Sequence, residues 1–218
     1  MIADAIRRIE SELPEGVSLC AVSKYHPAEM IMQAYGCGQR IFGESHVQEL
    51  MKKYEALPKD IKWHFIGHLQ TNKVRYIAPF VDLIHSVDST RLLSEINRQG
   101  IKHGRRIPCL LQLHVAREET KFGFTVDELR EFMLDGQWRD MSGVDLQGIM
   151  CMATNTDDAD RILEDFHKAN EFYRFCDECA GTHFKIRSWG MSGDYHLAIR
   201  EGSNLVRIGT MIFGERIY

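Results

Sequence analysis

The sequence predicts a (β/α)8 barrel, and two observations carry that prediction. Short β-rich apolar runs alternate with longer segments whose apolar residues recur at helical spacing, and the runs number eight. Alternation makes each helix a crossover, so the strands pair in parallel, and eight parallel strands can close on themselves. A third observation weighs against an open doubly wound sheet. Where G-x-G-x-x-G would follow the first strand, the chain reads Ser23-Lys24-Tyr25-His26-Pro27.

In chain order, a helix is expected over 2–12 and a strand over 18–23 (SLCAVS), then a helix over 28–36 that Pro27 introduces. The second and third strands are 40–42 (RIF) and 63–66 (WHFI), each followed by a helix, over 45–56 and 70–77. Strand 82–86 (DLIHS) leads to a helix over 90–103, with Asp88 and Ser89 as available caps. Strands 108–113 (PCLLQL), 146–151 (LQGIMC) and 184–189 (FKIRSW) alternate with helices over 126–134, 157–179 and 194–201, and 205–208 (LVRI) is the eighth strand. Gly36, Gly100 and Gly202 stand where helix ends want a left-handed residue.

At 218 residues, 1–218 reads as one domain, because a single α/β barrel core can reach ~250 residues. With 44% hydrophobic and 27% charged residues the composition is that of a globular protein, and no apolar run approaches the length that spans a bilayer. The first 13 residues intersperse Asp4, Arg7, Arg8, Glu10 and Glu12 among apolar ones, unlike a signal peptide, so a cytoplasmic protein is expected. A net charge of −4 with scattered Lys and Arg lacks the basic stripe of a nucleic-acid binder. Six cysteines without a framework of spacings read as reduced thiols.

Chemistry in either α/β architecture sits at the C-terminal ends of the strands. Lys24 ends the first strand there. The position invites partial desolvation, which favours the neutral amine that attacks an aldehyde to form a Schiff base. A lysine reaching out to solvent fits the same place. After the seventh and eighth strands come two glycine turns, Met191-Ser192-Gly193-Asp194 and Gly209-Thr210, where barrels often bind phosphate through backbone N–H groups, hydroxyls and a helix N-terminus. Asp194 opposes an anion unless it turns away as a cap. Arg207, inside the last strand, needs a buried acceptor, either a carboxylate or a ring nitrogen of a bound cofactor. Lys121 could add positive charge at the same mouth. Cys176 and Cys179 form an isolated C-x-x-C late in a helix with no second pair to complete a zinc set, and His64, His85 and His114 read as structural histidines.

Several stretches together resemble a known family: Val22-Ser23-Lys24, Gly38-Gln39-Arg40-Ile41-Phe42-Gly43-Glu44, Trp63-His64-Phe65-Ile66-Gly67-His68-Leu69-Gln70-Thr71-Asn72-Lys73, Ile84-His85-Ser86-Val87-Asp88 and 206–214 (VRIGTMIFG). They resemble the pyridoxal 5'-phosphate homeostasis proteins, single-barrel relatives of the N-terminal domain of alanine racemase. The resemblance runs from about residue 18 to Tyr218, and W-H-F-I-G-x-L-Q-x-N-K is its most specific run. It implies a TIM barrel of the alanine racemase N-terminal type and a Schiff base between Lys24 and pyridoxal 5'-phosphate. It also implies phosphate contacts from Ser192, Gly193, Gly209 and Thr210, and Arg207 at the pyridine nitrogen. A permanently charged donor there leaves the nitrogen unprotonated and the ring a poor electron sink. Lys121 resembles the family's second lysine near the cofactor.

The departures bear on the mouth. Ser45 and His114 stand where family members often have Asn, and Trp189-Gly190-Met191-Ser192-Gly193-Asp194 varies the phosphate turn while keeping its core. Relative to alanine racemase, the β domain and the tyrosine acid/base of the opposite face are absent from this sequence. A racemase needs two proton-transfer groups and only Lys24 is evident. The expectation is therefore a monomeric pyridoxal phosphate carrier acting in vitamin B6 homeostasis, with B6-dependent enzymes as recipients, and an amino-acid racemase or another B6 enzyme using Lys24 as base as the alternative.

Overall fold

The computed structural model describes residues 1–118, 122–181 and 183–215. Eight parallel strands close a barrel in chain order: β1 (Ser18–Val22), β2 (Ile41–Glu44), β3 (Lys62–Phe65), β4 (Leu83–Val87), β5 (Ile107–Leu113), β6 (Val144–Cys151), β7 (Ile186–Ser188) and β8 (Leu205–Ile208). Outside them lie α1 (Ile2–Glu12), α2 (Ala28–Gly36), α3 (Val47–Ala56), α4 (Val74–Ile77), α5 (Thr90–Lys102), α6 (Val126–Asp135), α7 (Ala159–Cys179), α8 (Tyr195–Arg200) and α9 (Thr210–Phe213). The predicted barrel is the observed one.

Local chemistry sets the helix ends. Ser89 Oγ accepts the Leu92 N–H at 3.3 Å to start α5, and Thr125 with Glu128 forms a capping box at α6. Asp158 caps α7 through the N–H groups of Asp160 and Arg161, so that helix begins later than the expected 157. The helix expected over 70–77 splits into a 3-10 turn, Thr71–Lys73, and the single turn of α4. α9 and a 3-10 turn at Gln137–Asp140 are additions to the predicted set. Gly202 is left-handed as expected, with φ 85°. Gly100 instead lies inside α5, where a Cβ would stand 2.1 Å from the Gly143 carbonyl oxygen, so its role is close helix-to-loop approach.

Buried side chains fall into two bodies, which is what a closed sheet enforces. The larger lies between the helices and the outer sheet face and includes Phe42, Trp63, Phe65, Ile84, Leu111 and Ile208. The smaller, Cys20, Leu83, Leu110, Met150 and Leu205, fills the barrel interior. Two residues further along the interior-facing positions the filling turns polar, with His85, Gln112 and Arg207 buried beside His64 and Ser188. That polar layer lies toward the C-terminal mouth. Among the described residues no helix is long and apolar enough to cross a membrane.

Candidate functional site

β7, β8 and β1 are neighbours, so the three features singled out in the sequence share one sector of the mouth. Cys20 pairs in register with Arg207 and Ala21 with Ile208, while the Arg207 N–H donates to the Gly190 carbonyl at 3.0 Å. A Cβ on Gly209 would lie 3.2 Å from the Val22 carbonyl oxygen. The turns carrying Lys24, Ser192-Gly193 and Gly209-Thr210 are thereby side by side.

Arg207 points into the barrel and is 4% exposed. Its Nη1 donates to the Ser188 carbonyl and to Ser188 Oγ, each at 2.7 Å, and its Nη2 donates to the Cys151 carbonyl at 3.0 Å. None of these acceptors is a carboxylate, so of the two alternatives left by the sequence the buried carboxylate is not found among the described residues. Burial pulls the arginine pKa down from its ordinary value, and the neighbouring Cys20 thiol is itself pushed up to about 12, so it supplies no counter-charge. Three of the five guanidinium N–H donors are used, leaving two for another acceptor.

The Ser188 hydroxyl extends this into a buried chain that sequence reasoning did not see. His85 Nδ1 lies 3.0 Å from Ser188 Oγ, and His85 Nε2 lies 2.9 Å from His64 Nδ1. Burial holds both imidazoles neutral, with His64 pulled down to about 3 and His85 well below its ordinary range. Neutral rings bond one another without adding charge beside Arg207. Both histidines are buried and hydrogen-bonded, and their chain ends on the Ser188 hydroxyl that Arg207 also bonds.

Lys24 lies half-buried in the turn after β1. Its neighbours are held from α3. The Lys53 ammonium, buried against the barrel, donates to the Ser23 carbonyl at 2.8 Å and to Glu44 Oε1 and Glu49 Oε1, each at 2.7 Å. Ser23 Oγ donates to Glu44 Oε1 at 2.6 Å, and Glu49 Oε1 accepts the Tyr25 N–H at 2.7 Å. Burial pushes Glu44 up to about 7 despite the opposing pull of Lys53.

At the paired turns, no protein acceptor takes the N–H of Ser192 or Gly193, nor does either hydroxyl of Ser192 and Thr210 find a protein partner among the described residues. A Cβ at Gly193 would meet nothing within 4 Å. Asp194 folds back to accept the Met191 N–H at 2.5 Å, which closes the turn on itself rather than capping α8. The expected helix-dipole assistance is small, since α8 has six residues and α9 four.

Elsewhere at the mouth, His114 is occupied by its own loop, Nε2 lying 3.0 Å from the Glu118 carbonyl oxygen. Ser45 Oγ is buried with no hydrogen-bond partner among the described residues, and its backbone packs so closely on Gly67 that a Cβ there would stand 2.5 Å from the Ser45 carbonyl oxygen. His68 stacks on Phe122 and bonds Asp88 at 2.8 Å through Nδ1, a pairing not foreseen from the sequence. Lys121 lies outside the described residues. Cys176 and Cys179 sit on α7 with free thiols, Cys176 buried. A surface recess of about 920 Å³ between the start of α5 and the length of α6 is lined by Asp88, Asp127, Glu128, Glu131 and Asp135 against Arg130, a field that repels phosphate.

Comparison with known proteins bears on the family and the fold. The profile described as "Alanine racemase, N-terminal domain" matches residues 1–217. The pyridoxal phosphate homeostasis protein of Aquifex aeolicus is 39% identical over 201 residues, covering 92% of this chain and 87% of its own length. That of Vibrio alginolyticus is 37% identical over 210 residues, covering 94% and 89%. The chain belongs to the pyridoxal phosphate homeostasis protein family. Among solved structures, PipY of Synechococcus elongatus without PLP superposes with a TM-score of 0.93 at 36% identity, over 98% of this chain and all of PipY. PipY with PLP bound superposes with a TM-score of 0.89. Alanine racemase of Clostridium difficile, at 16% identity and a TM-score of 0.78, shares the fold over 98% of this chain and 56% of its own. The family and the barrel type expected from the sequence are thus the ones found.

Proposed function

We propose that this protein binds pyridoxal 5'-phosphate at the β7–β8–β1 sector of the mouth and acts in vitamin B6 homeostasis as a carrier without robust catalysis. The observation that carries the reading is the donor set: a lysine, two turns in which the Ser192 and Gly193 N–H groups and the Ser192 and Thr210 hydroxyls have no protein partner among the described residues, and a buried arginine with two spare donors, all on adjacent strands. This set fits the cofactor chemically. Bound there, pyridoxal phosphate supplies an aldehyde for Lys24, a dianionic phosphate for the turns and a ring nitrogen for Arg207.

The protein's residues divide the work. Ser192, Gly193, Gly209 and Thr210 hold the phosphate by hydrogen bonds, and Lys24 holds the aldehyde carbon covalently. Arg207, kept charged and planar by Ser188 and Cys151, gives a hydrogen bond to the nitrogen and withholds a proton from it, which restrains carbanion chemistry. The likeness to PipY, which has been seen with PLP bound, supports the cofactor assignment. We further infer a cytoplasmic monomer that can pass its cofactor to B6-dependent enzymes.

An absorption spectrum before and after borohydride, followed by mapping of the reduced adduct, tests the reading. The expected result is a yellow chromophore and an adduct on Lys24. An adduct on Lys73 or Lys121 in the unaltered protein overturns the site. Incubation with a panel of amino acids separates carrier from racemase: loss of optical activity faster than with free cofactor, abolished by Lys24→Ala, overturns the carrier reading.

For the phosphate turns, Ser192→Ala should weaken cofactor retention by ~1.5–3 kcal/mol, one to two decades in affinity. Gly209→Leu should weaken it as well but also presses on Val22, so Gly193→Val is the cleaner steric variant, its side chain entering open space. Equilibrium titration should show losses in all three with melting little changed for Ser192→Ala and Gly193→Val. Unchanged affinities place the phosphate elsewhere.

A further inference from the structure

We infer that Lys53, acting with Glu49, is a positioning residue for Lys24: a buried ammonium on α3 that fixes the backbone on both sides of the reactive lysine. The inference rests on the assignment of Lys24 as the covalent residue, and concerns what makes that lysine competent.

Tyr25, directly after Lys24, has φ 66°, and it is the only non-glycine residue with positive φ among the described residues. A left-handed tyrosine is disfavoured and persists only where surrounding contacts over-determine it. The turn has such contacts. The Tyr25 N–H is taken by Glu49 Oε1 at 2.7 Å, the Ser23 carbonyl accepts both the His26 N–H at 3.1 Å and Lys53 Nζ at 2.8 Å, and Ser23 Oγ is taken by Glu44 at 2.6 Å. Ser23 and Tyr25, the residues flanking Lys24, are therefore both tied to one cluster whose hub is Lys53.

The hub is satisfied and buried. Three acceptors meet the three ammonium protons, the Lys53 side chain is 8% exposed, and Glu44 and Glu49 are 0% and 23% exposed. A lysine so occupied is no nucleophile, and an ordinary surface ion pair does not reach the main chain of a neighbouring turn. α3 reaches this turn because Lys53 and Glu49 share one helical face four residues apart, and Glu44 ends the strand next to β1.

The consequence is for the covalent step. In that step the neutral Lys24 amine forms a C=N bond to the cofactor's aldehyde carbon, and the aldehyde oxygen leaves as water with the two amine protons. Its rate depends on where the amine is held, and a misplacement of about 1 Å can cost on the order of a hundredfold. With the left-handed turn held, the Lys24 stem leaves the backbone in one direction.

The test measures the rate of chromophore formation with pyridoxal phosphate at constant pH, alongside melting temperature and affinity for the non-covalent analogue pyridoxine 5'-phosphate. Glu49→Ala removes the acceptor of the Tyr25 N–H at a partly exposed site and keeps the Lys53–Glu44 pair. Its covalent rate should fall about tenfold or more, with analogue affinity and melting close to the unaltered protein. Adding Tyr25→Gly, which adopts positive φ without cost, should recover part of the rate. Lys53→Met should show the larger rate loss where it folds, and if it does not fold the Glu49 pair of variants decides. A covalent rate in Glu49→Ala equal to that of the unaltered protein overturns the inference, as does a loss of rate matched by an equal loss of analogue affinity. Adduct mapping keeps the two readings apart: trapping on a lysine other than Lys24 in the unaltered protein defeats the site assignment, whereas an unchanged rate with the adduct on Lys24 defeats only the role of Lys53 and Glu49.

Discussion

Lys24→Ala should abolish the chromophore and the borohydride-trapped adduct while weak non-covalent binding through the phosphate turns survives, whereas Arg207→Ala should keep the adduct and loosen the ring. The two substitutions act on opposite edges of one ligand. Lys24 supplies a covalent bond, and its loss leaves the Ser192 and Gly209 turns unaltered. Arg207 supplies hydrogen bonds in the barrel interior, and its removal also strips the buried Ser188 and Cys151 carbonyls of a donor, which costs stability by roughly 1–3 kcal/mol. Arg207→Lys should not restore the ring environment, since one ammonium cannot bridge the acceptors on β6 and β7 that the planar fork spans. Absorption and fluorescence of the bound cofactor check these outcomes well below the melting point of each variant. Full recovery with Arg207→Lys would mean that charge alone, not fork geometry, is what the site uses.

The second large effect is loss of stability in acid. His64 and His85 are buried neutral, His64 pulled down from 6.5 to about 3 and His85 well below 6.5, desolvation being the main cause in both. As pH falls below 6.5 the unfolded chain takes up these protons and the folded chain does not. The histidines' contribution is thus complete above 6.5 and is lost as pH drops toward 3, by up to about 1.4 kcal/mol per pH unit for each ring. Glu44 acts with the opposite sign. Its pKa is raised from 4.5 to about 7, so its contribution is present below 4.5 and is lost as pH rises through 7. The two trends oppose one another between 4.5 and 6.5, and the histidine loss runs unopposed by Glu44 below 4.5. Urea unfolding across this range should show the steepest decline below 4.5, and His64→Gln, which keeps a polar side chain without a titrating ring, should flatten it. Parallel pH curves for the two proteins would contradict the buried neutral state of His64.

The sequence by itself determined the barrel, the order of its elements and the lysine, arginine and glycine turns at its mouth. Strand and helix periodicity are local properties, and the run 205–208 ending in Gly209-Thr210 announces a strand and a turn without reference to anything distant. What only the tertiary structure decided is which side chains meet across the closed sheet. His85 and Ser188 are 103 residues apart, and their contact depends on closure and register that no window of sequence contains. The same holds for Lys53: its spacing from Glu49 was legible on α3, but its reach to the Ser23 carbonyl, 30 residues earlier, follows from how α3 packs beside β1 and β2. The carboxylate that Arg207 might have met was replaced by neutral acceptors for the same reason. A buried guanidinium demands partners, and the fold, not the neighbouring sequence, selects them.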